Sequence, residues 1–213
     1  MGSGPSLSRD AVDHVKKRQT EQPDQIATIA INNTYERAPW ATDLYACDVG
    51  WWRTYRPTFK GRKWSQFQKR GTRFDPCQTD RIDGVQYIRA KSQSALNMTD
   101  ARWIGTGGNS AFQAVNLAIL GGAIRVVLLG VDLQPTDGKS HWHGDHPWNG
   151  QLTNPSGPTY AIWLKAFDMA ASQLAHSNIE FIQASDQTAL RSWPRMDIQT
   201  ALKEPLNVYR NKL

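Results

Sequence analysis

Three of the chain's five histidines fall in one short run, His141-Trp142-His143-Gly144-Asp145-His146. Imidazoles beside a carboxylate suit two kinds of chemistry. They can ligate zinc, which takes nitrogen and oxygen donors. Alternatively, one of them can take a proton from a hydroxyl, because an imidazole titrates near neutral pH. The zinc use needs further ligands downstream, and only His176 follows, at what reads as a helix end. The preferred reading is proton transfer, with His146 or His141 as the base and no metal assigned. A purely structural loop is the plain alternative.

Two glycine-rich stretches suit phosphate. Gly2-Ser3-Gly4-Pro5-Ser6-Leu7 reads as a phosphate loop, followed by a helix from about Ser8 to Gln19 with Ala11, Val12 and Val15 on one side. Such loops normally follow a buried strand. Only Met1 stands before this one, so the first strand is missing or lies upstream; a tag or flexible terminus is the rival reading. The second stretch runs from Ile104 to Asp132. Gly105, Thr106, Gly107 and Gly108 form a turn whose backbone can approach a ligand closely. Asn109 or Ser110 caps an almost wholly apolar helix that Gly121-Gly122 ends. Ile124 to Val131 reads as a central parallel strand buried on both faces. Asp132 then sits at the strand's carboxyl end, where open α/β sheets bind ligands, and is expected to be catalytic with His146 and His141.

Two other strand ends also carry polar residues. Gln25 to Ile31 reads as a strand ending at Asn32-Asn33, and Asp43 to Cys47 as one ending at Asp48. Asparagine offers a donor and an acceptor, which suits a base or ribose; ordinary turn chemistry explains it equally well. Repetition at Asn32-Asn33, Asp48 and Asp132 is what points to a cleft.

From Trp51 to Arg73 the chain has eight lysines or arginines and no acid. Arg53, Arg56, Lys60, Arg62 and Lys63, interleaved with aromatic residues, suit an anionic acceptor such as a phosphorylated or acidic sugar. They also suit a nucleic-acid backbone with base stacking. A solvated surface around buried tryptophans is the plain reading. Several tryptophans (Trp51, Trp52, Trp142, Trp148) lie in segments of loop composition and are expected to line a site.

The elements that would position these groups alternate between strand and helix. Val85 to Ala90 is a further strand, Thr159 to His176 a helix and Ile179 to Gln183 a last strand. Thr188 to Trp193 reads as a helical turn and Met196 to Lys203 as a short helix. The alternation predicts a Rossmann-like, doubly wound α/β fold with a mostly parallel sheet and helices on both faces. The whole chain, 1–213, reads as a single nucleotide-binding domain. It carries a basic aromatic insertion at about 49–75 and a long active-site loop at about 133–158. The net charge of +6 favours polyanionic partners. No apolar run reaches membrane-spanning length, no signal-peptide core is visible, and two cysteines make no disulfide framework. A cytoplasmic setting is expected, the host cytoplasm if the chain is phage-encoded.

The histidine run matches the H-x-H-x-D-H pattern of metallo-β-lactamase-like hydrolases, but the surrounding chain reads as Rossmann-like. A wider resemblance rests on GSGPSL, on INN after one strand, on YACD after the next, and on GTGGNSAFQAVNLAILGG with IRVVLLGVD and the histidine loop. Together these resemble bacterial lipooligosaccharide sialyltransferases and the related motility-accessory-factor and hydroxymethylpterin pyrophosphokinase group. The chain looks especially like small uncharacterised phage or prophage proteins with a HWHGDHP loop. The resemblance covers roughly residues 2 to 190.

By that resemblance, Gly2, Ser3, Gly4, Pro5, Ser6, Asn32 and Asn33 hold a cytidine nucleotide. Thr106, Gly107 and Gly108 touch it as well, and His146 or His141 acts as base on the acceptor hydroxyl. The sialyltransferases steady the leaving phosphate with tyrosines between the last long strand and that histidine. Here there is none between Asp132 and His146, so Lys139 or Trp142 substitutes or the leaving group differs. The function expected is a nucleotide-dependent transferase, foremost a glycosyltransferase using a nucleotide sugar. Its rivals are an ATP-dependent diphosphotransferase with Mg²⁺ on Asp48 and Asp132, a nucleic-acid-binding phage protein with a degenerate Rossmann core, and a zinc hydrolase.

Overall fold

The computed structural model describes residues 1–67, 81–92, 94–147 and 152–203. Lys69, Arg70, Arg73, Cys77, Trp148 and most of the expected loop at 75–81 lie outside them.

Five strands form a parallel sheet in sequence order: β1 (Ile29–Ile31), β2 (Asp43–Tyr45), β3 (Arg62–Phe67), β4 (Val85–Lys91) and β5 (Trp103–Gly105). A second parallel pair joins β6 (Arg125–Leu128) to β7 (Glu180–Gln183). The first four residues link the two. The Met1 amine donates to the Ile29 carbonyl, and the Ile31 N–H donates to Met1. On the other side, Gly2 and Gly4 donate to the carbonyls of Leu129 and Gly130. The glycine loop expected to follow a strand therefore begins as one: Met1–Gly4 itself fills the gap between β1 and β6. Strand order reverses here. The chain runs from this segment outwards to β5, then returns to β6 on its other side.

Period-two alternation places helices on both faces, as a doubly wound fold requires. Ala30 and Leu44 face α1 (Arg9–Glu21), where Leu7, Val12 and Val15 complete the cluster. Ile31, Tyr45, Ile88, Ala90 and Ile104 face Ala114 of α3 (Ser110–Leu120), around which the sheet curls. On its far side α3 packs with β6, β7 and α4 (Gly157–Leu174), where Phe112, Phe167 and Trp193 stack edge to face. Ser8 caps α1 and Asn109 caps α3, each accepting from an N–H three residues on.

The basic aromatic stretch is not an insertion. Its described part supplies α2 (Val49–Tyr55) and the central strand β3. Trp51 and Trp52, expected to line a site, are 1% and 2% exposed and belong to the core, while each also edges a cavity. Their ring N–H groups donate to Asn33 and to the Ala46 carbonyl. Strand β1 begins later than expected, Asn32–Glu36 forms a 3-10 turn, and Gly105, expected in the glycine turn, ends strand β5. Thr188 to Trp193 forms no helix; Leu190 and Trp193 are nonetheless buried. α5 (Ile198–Ala201) is shorter than expected and is tied to α1 by the Arg18 guanidinium on the Leu202 carbonyl. No helix is long and apolar enough to cross a membrane, among the described residues.

Candidate active site

A cleft of about 370 Å³ opens at the carboxyl ends of β1, β2 and β6, where strand order reverses. Gly2, Ser3 and Gly4 form one wall and Asn32, Asp48 and Trp51 a second. Gly108–Ala111, at the start of α3, and Asp132, with His141 and His146, complete it. Tyr160 and Trp163 of α4 also face it. The strand-end residues and both glycine stretches, distant in sequence, thus share one cavity. Asn32 and Gly108 both line it.

Its walls are held by side chains that read outwards from the backbone. A Cβ on Gly4 would collide with the Asp132 carboxylate. That closeness lets the Ser6 N–H and hydroxyl donate to the two oxygens of Asp132, at 2.9 and 2.5 Å. Asp132 is 3% exposed, and burial raises its pKa above the ordinary carboxylate value while the Ser6 hydrogen bonds oppose the rise. It therefore clamps the glycine loop. Gly107 has a left-handed backbone (φ 50°) and lies against the Phe112 ring, where a Cβ would not fit. The Trp163 indole donates to the Gly108 carbonyl at 2.8 Å and pins the turn.

The remaining expected ligand contacts divide. Gly107 and Thr106 shape the turn rather than line the cavity; the Thr106 carbonyl accepts from Gln113. Pro5 and Ser6 stand behind the wall. Asn33 is buried, with its amide used on Trp51 and Glu36, so of the asparagine pair only Asn32 faces the opening. Asn32 has a left-handed backbone (φ 50°), a conformation asparagine tolerates.

The histidine loop is fixed to the glycine loop. The Trp142 N–H donates to the Ser3 carbonyl, and the Ser3 hydroxyl bonds His141 Nδ1 at 3.0 Å. The Arg37 guanidinium stacks 3.9 Å above the Trp142 ring, so Trp142 braces the loop. Tyr55 of α2 bonds His146 Nδ1 at 2.7 Å, and Asn154 accepts from the His146 N–H. The three imidazoles form a triangle with centroids 5.0 to 5.1 Å apart. Burial, then the neighbouring rings, lowers the pKa of His141 from 6.5 to about 3. Burial, His146 and Arg37 lower that of His143 to about 4. Burial lowers that of His146 too, with Asp48 and Asp145 pulling the other way. All three are therefore neutral at pH 7, the state in which an imidazole accepts a proton.

The cluster does not fit a metal in this arrangement. The His141 and His143 rings are stacked with planes 4° apart. A ring-nitrogen lone pair lies in the ring plane, so two stacked rings cannot aim at one ion. Among the described residues no group of three or more His, Cys, Asp or Glu side chains could hold one. Each Asp132 oxygen accepts one hydrogen bond from Ser6, and Asp48 lines the same cleft.

Sequence reasoning missed Tyr55, Tyr160 and Trp163. Tyr55 stands four residues after Trp51 in a run rich in basic residues, and this i, i+4 spacing was the available sign of a helix face. Tyr160 and Trp163 are an i, i+3 pair at the start of α4.

Of the expected acceptor-binding cations, none lines this cleft. Arg62 makes a two-pronged ion pair with the buried Asp43, at 2.8 Å on each arm. Lys60 is exposed and lines neither cavity. Arg53, Arg56 and Lys63 line a separate cavity beyond α2.

No protein-family model, curated protein or solved structure matches this chain.

Proposed function

We propose that this protein is a nucleotide-dependent transferase, foremost a glycosyltransferase that moves a sugar from a nucleotide-activated donor to an acceptor hydroxyl. The observation that carries the reading is convergence: two glycine turns, strand-end Asn32 and Asp48, and His146 meet in one cleft at the reversal of strand order. That is where open α/β sheets bind nucleotides. The sequence resemblance to the sialyltransferases points the same way.

In this reading the first-turn N–H groups of α3 at Ser110 and Ala111, with the positive end of the helix, receive phosphate oxygens. The Ser3 hydroxyl and the Asn32 amide add hydrogen bonds. Among the described residues, the cleft lining contains Asp48 and Asp132 and no lysine or arginine. A site that meets phosphate through neutral donors favours a donor of low charge, a nucleoside monophosphate sugar, over a triphosphate. His146 with its proton on Nδ1, shared with the Tyr55 oxygen, keeps the Nε2 lone pair for the acceptor proton. Removing that proton makes the acceptor oxygen the nucleophile at the sugar carbon; the bond from that carbon to the phosphate oxygen breaks, and the phosphate leaves with the electron pair. The Tyr160 hydroxyl supplies a donor near the leaving group that the segment between Asp132 and His146 lacks.

A thermal-shift series with nucleoside mono-, di- and triphosphates and nucleotide sugars tests this. A ligand that binds only the folded protein raises Tm by mass action. Stabilisation by a nucleoside monophosphate or its sugar conjugate, weakened by Asn32→Ala, is expected. No response to any nucleotide would overturn the assignment. A response to ATP that depends on Mg²⁺ would favour diphosphate transfer.

A further inference from the structure

The second cavity, about 470 Å³, lies between α2 and the start of strands β3 and β4. Trp52 forms its floor, and its walls carry Arg53, Arg56, Lys63 and Arg81 against one carboxylate, Asp83. We propose that this cavity binds a phosphate-ester group, and that it anchors the anionic end of the acceptor while the reacting hydroxyl lies on the other side of α2.

Three features support an oxyanion site rather than a chance patch of charge. First, the cations come from three separated elements: Arg56 at the end of α2, Lys63 on β3 and Arg81 just before β4. Like charges repel when gathered around one cavity, and an anion placed among them removes that cost. Second, each is steered. Arg56 adopts a left-handed backbone (φ 41°) as the cap of α2, and its Nε donates to the Arg53 carbonyl. Its guanidinium is thus held on the cavity side with its other N–H groups available for bonding. The Lys63 ammonium lies beside Gly84, which has no side chain to cover it. Arg81 lies within 6 Å of the Phe67 and Tyr87 rings, a cation–π arrangement that holds its plane. Third, α2 joins this cavity to the cleft. Trp51 and Tyr55 face the cleft and His146, whereas Trp52, Arg53 and Arg56 face the cations. Among the described residues the cleft has no lysine or arginine and the neighbouring cavity concentrates them, so a charged acceptor would be held here and a weakly charged donor there.

The acceptor role rests on the transferase reading; the anion site does not. Inorganic pyrophosphate is the probe, titrated into the full chain and followed by NMR of the arginine Nε–H groups together with the backbone N–H groups of Gly108 and Ser110. Movement of the Arg56 and Arg81 signals is expected. Arg56→Asn combined with Lys63→Met should weaken that binding by about tenfold or more, the scale of lost charge-assisted hydrogen bonds. Asparagine tolerates the left-handed backbone and methionine keeps the lysine stem, so the variant should retain the wild-type Tm. If the double variant unfolds, Arg81→Gln alone should still weaken binding. Asn32→Ala, in the cleft, should leave it unchanged. Shifts confined to Gly108 and Ser110, or no binding by the wild type, would overturn the anion site. The transferase reading fails separately, if no nucleotide binds the cleft.

Discussion

His146 and Asp132 both line the cleft, but their contacts give them different work. His146 is held through Nδ1 by Tyr55 and through its backbone by Asn154, which fixes the direction of Nε2; in the transferase reading Nε2 carries the lone pair that takes the acceptor proton. His146→Ala should lower turnover by about a hundredfold to ten-thousandfold while nucleotide binding, measured calorimetrically, holds. Tyr55→Phe should keep the ring packing and lose part of that rate, because the hydrogen bond that orients the imidazole is gone. If His146→Ala leaves turnover unaltered, the base lies elsewhere. Asp132 lines the cleft and accepts from the Ser6 N–H and hydroxyl. Asp132→Ala should therefore cost about 1–3 kcal/mol for each hydrogen bond removed from the buried clamp, read from urea denaturation. Wild-type stability in that variant would show that the carboxylate serves the ligand instead.

At the scale of elements, α3 carries the most weight. Its Gln113 accepts the Tyr45 hydroxyl at 2.5 Å. Its Asn116 is fully buried; its carbonyl accepts from the Asn97 and Gly105 N–H groups and its amide donates to the Asn97 carbonyl. One side chain thus ties the segment before β5, β5 itself and the helix whose N-terminus faces the cleft. Asn116→Leu would leave three buried backbone groups without partners, each costing about 1–3 kcal/mol. A loss of several kcal/mol in denaturant unfolding is expected, and a loss below about 1 kcal/mol would show that the segment re-forms those bonds. This helix was legible in the sequence from its cap, its apolar run and its terminating glycines. Helix α2 was not. Its seven residues are too few for a clear period, and its lysine- and arginine-rich context reads as surface. Tertiary packing buries Trp51 and Trp52 beneath it and so decides that it is a helix.

For the molecule as a whole, the three half-buried histidines make stability depend on acid. Their folded pKa values lie below the unfolded value, so between those limits the unfolded chain binds more protons. Stability should be fully present above about pH 6.5 and decline as pH falls from there towards the values of about 4 for His143 and about 3 for His141. Melting temperatures across that range should fall more steeply for the wild type than for His143→Gln, which cannot charge. Parallel curves would mean that the cluster opens and hydrates in solution.

The sequence by itself determined the class of the fold and singled out several residues that line the cleft, among them Ser3, Asn32, Asp48 and His146. Alternating apolar periods require strands and helices that cover one another. Glycine, asparagine and aspartate at strand ends follow from backbone chemistry that is local, and so can be read locally. It did not determine which member of each polar group faces the ligand. Asn32 and Asn33 are neighbours with the same chemistry, and only the position of Trp51 and Glu36 turns one of them inwards. Arg62 reads like Arg56 until Asp43, on the next strand, takes its charge. Met1–Gly4 reads as a loop without its strand, because a stretch that short has no period; hydrogen bonds from β1 on one side and Leu129–Gly130 on the other make it part of the sheet. Such assignments depend on partners far away in the chain, and only the tertiary structure brings those partners together.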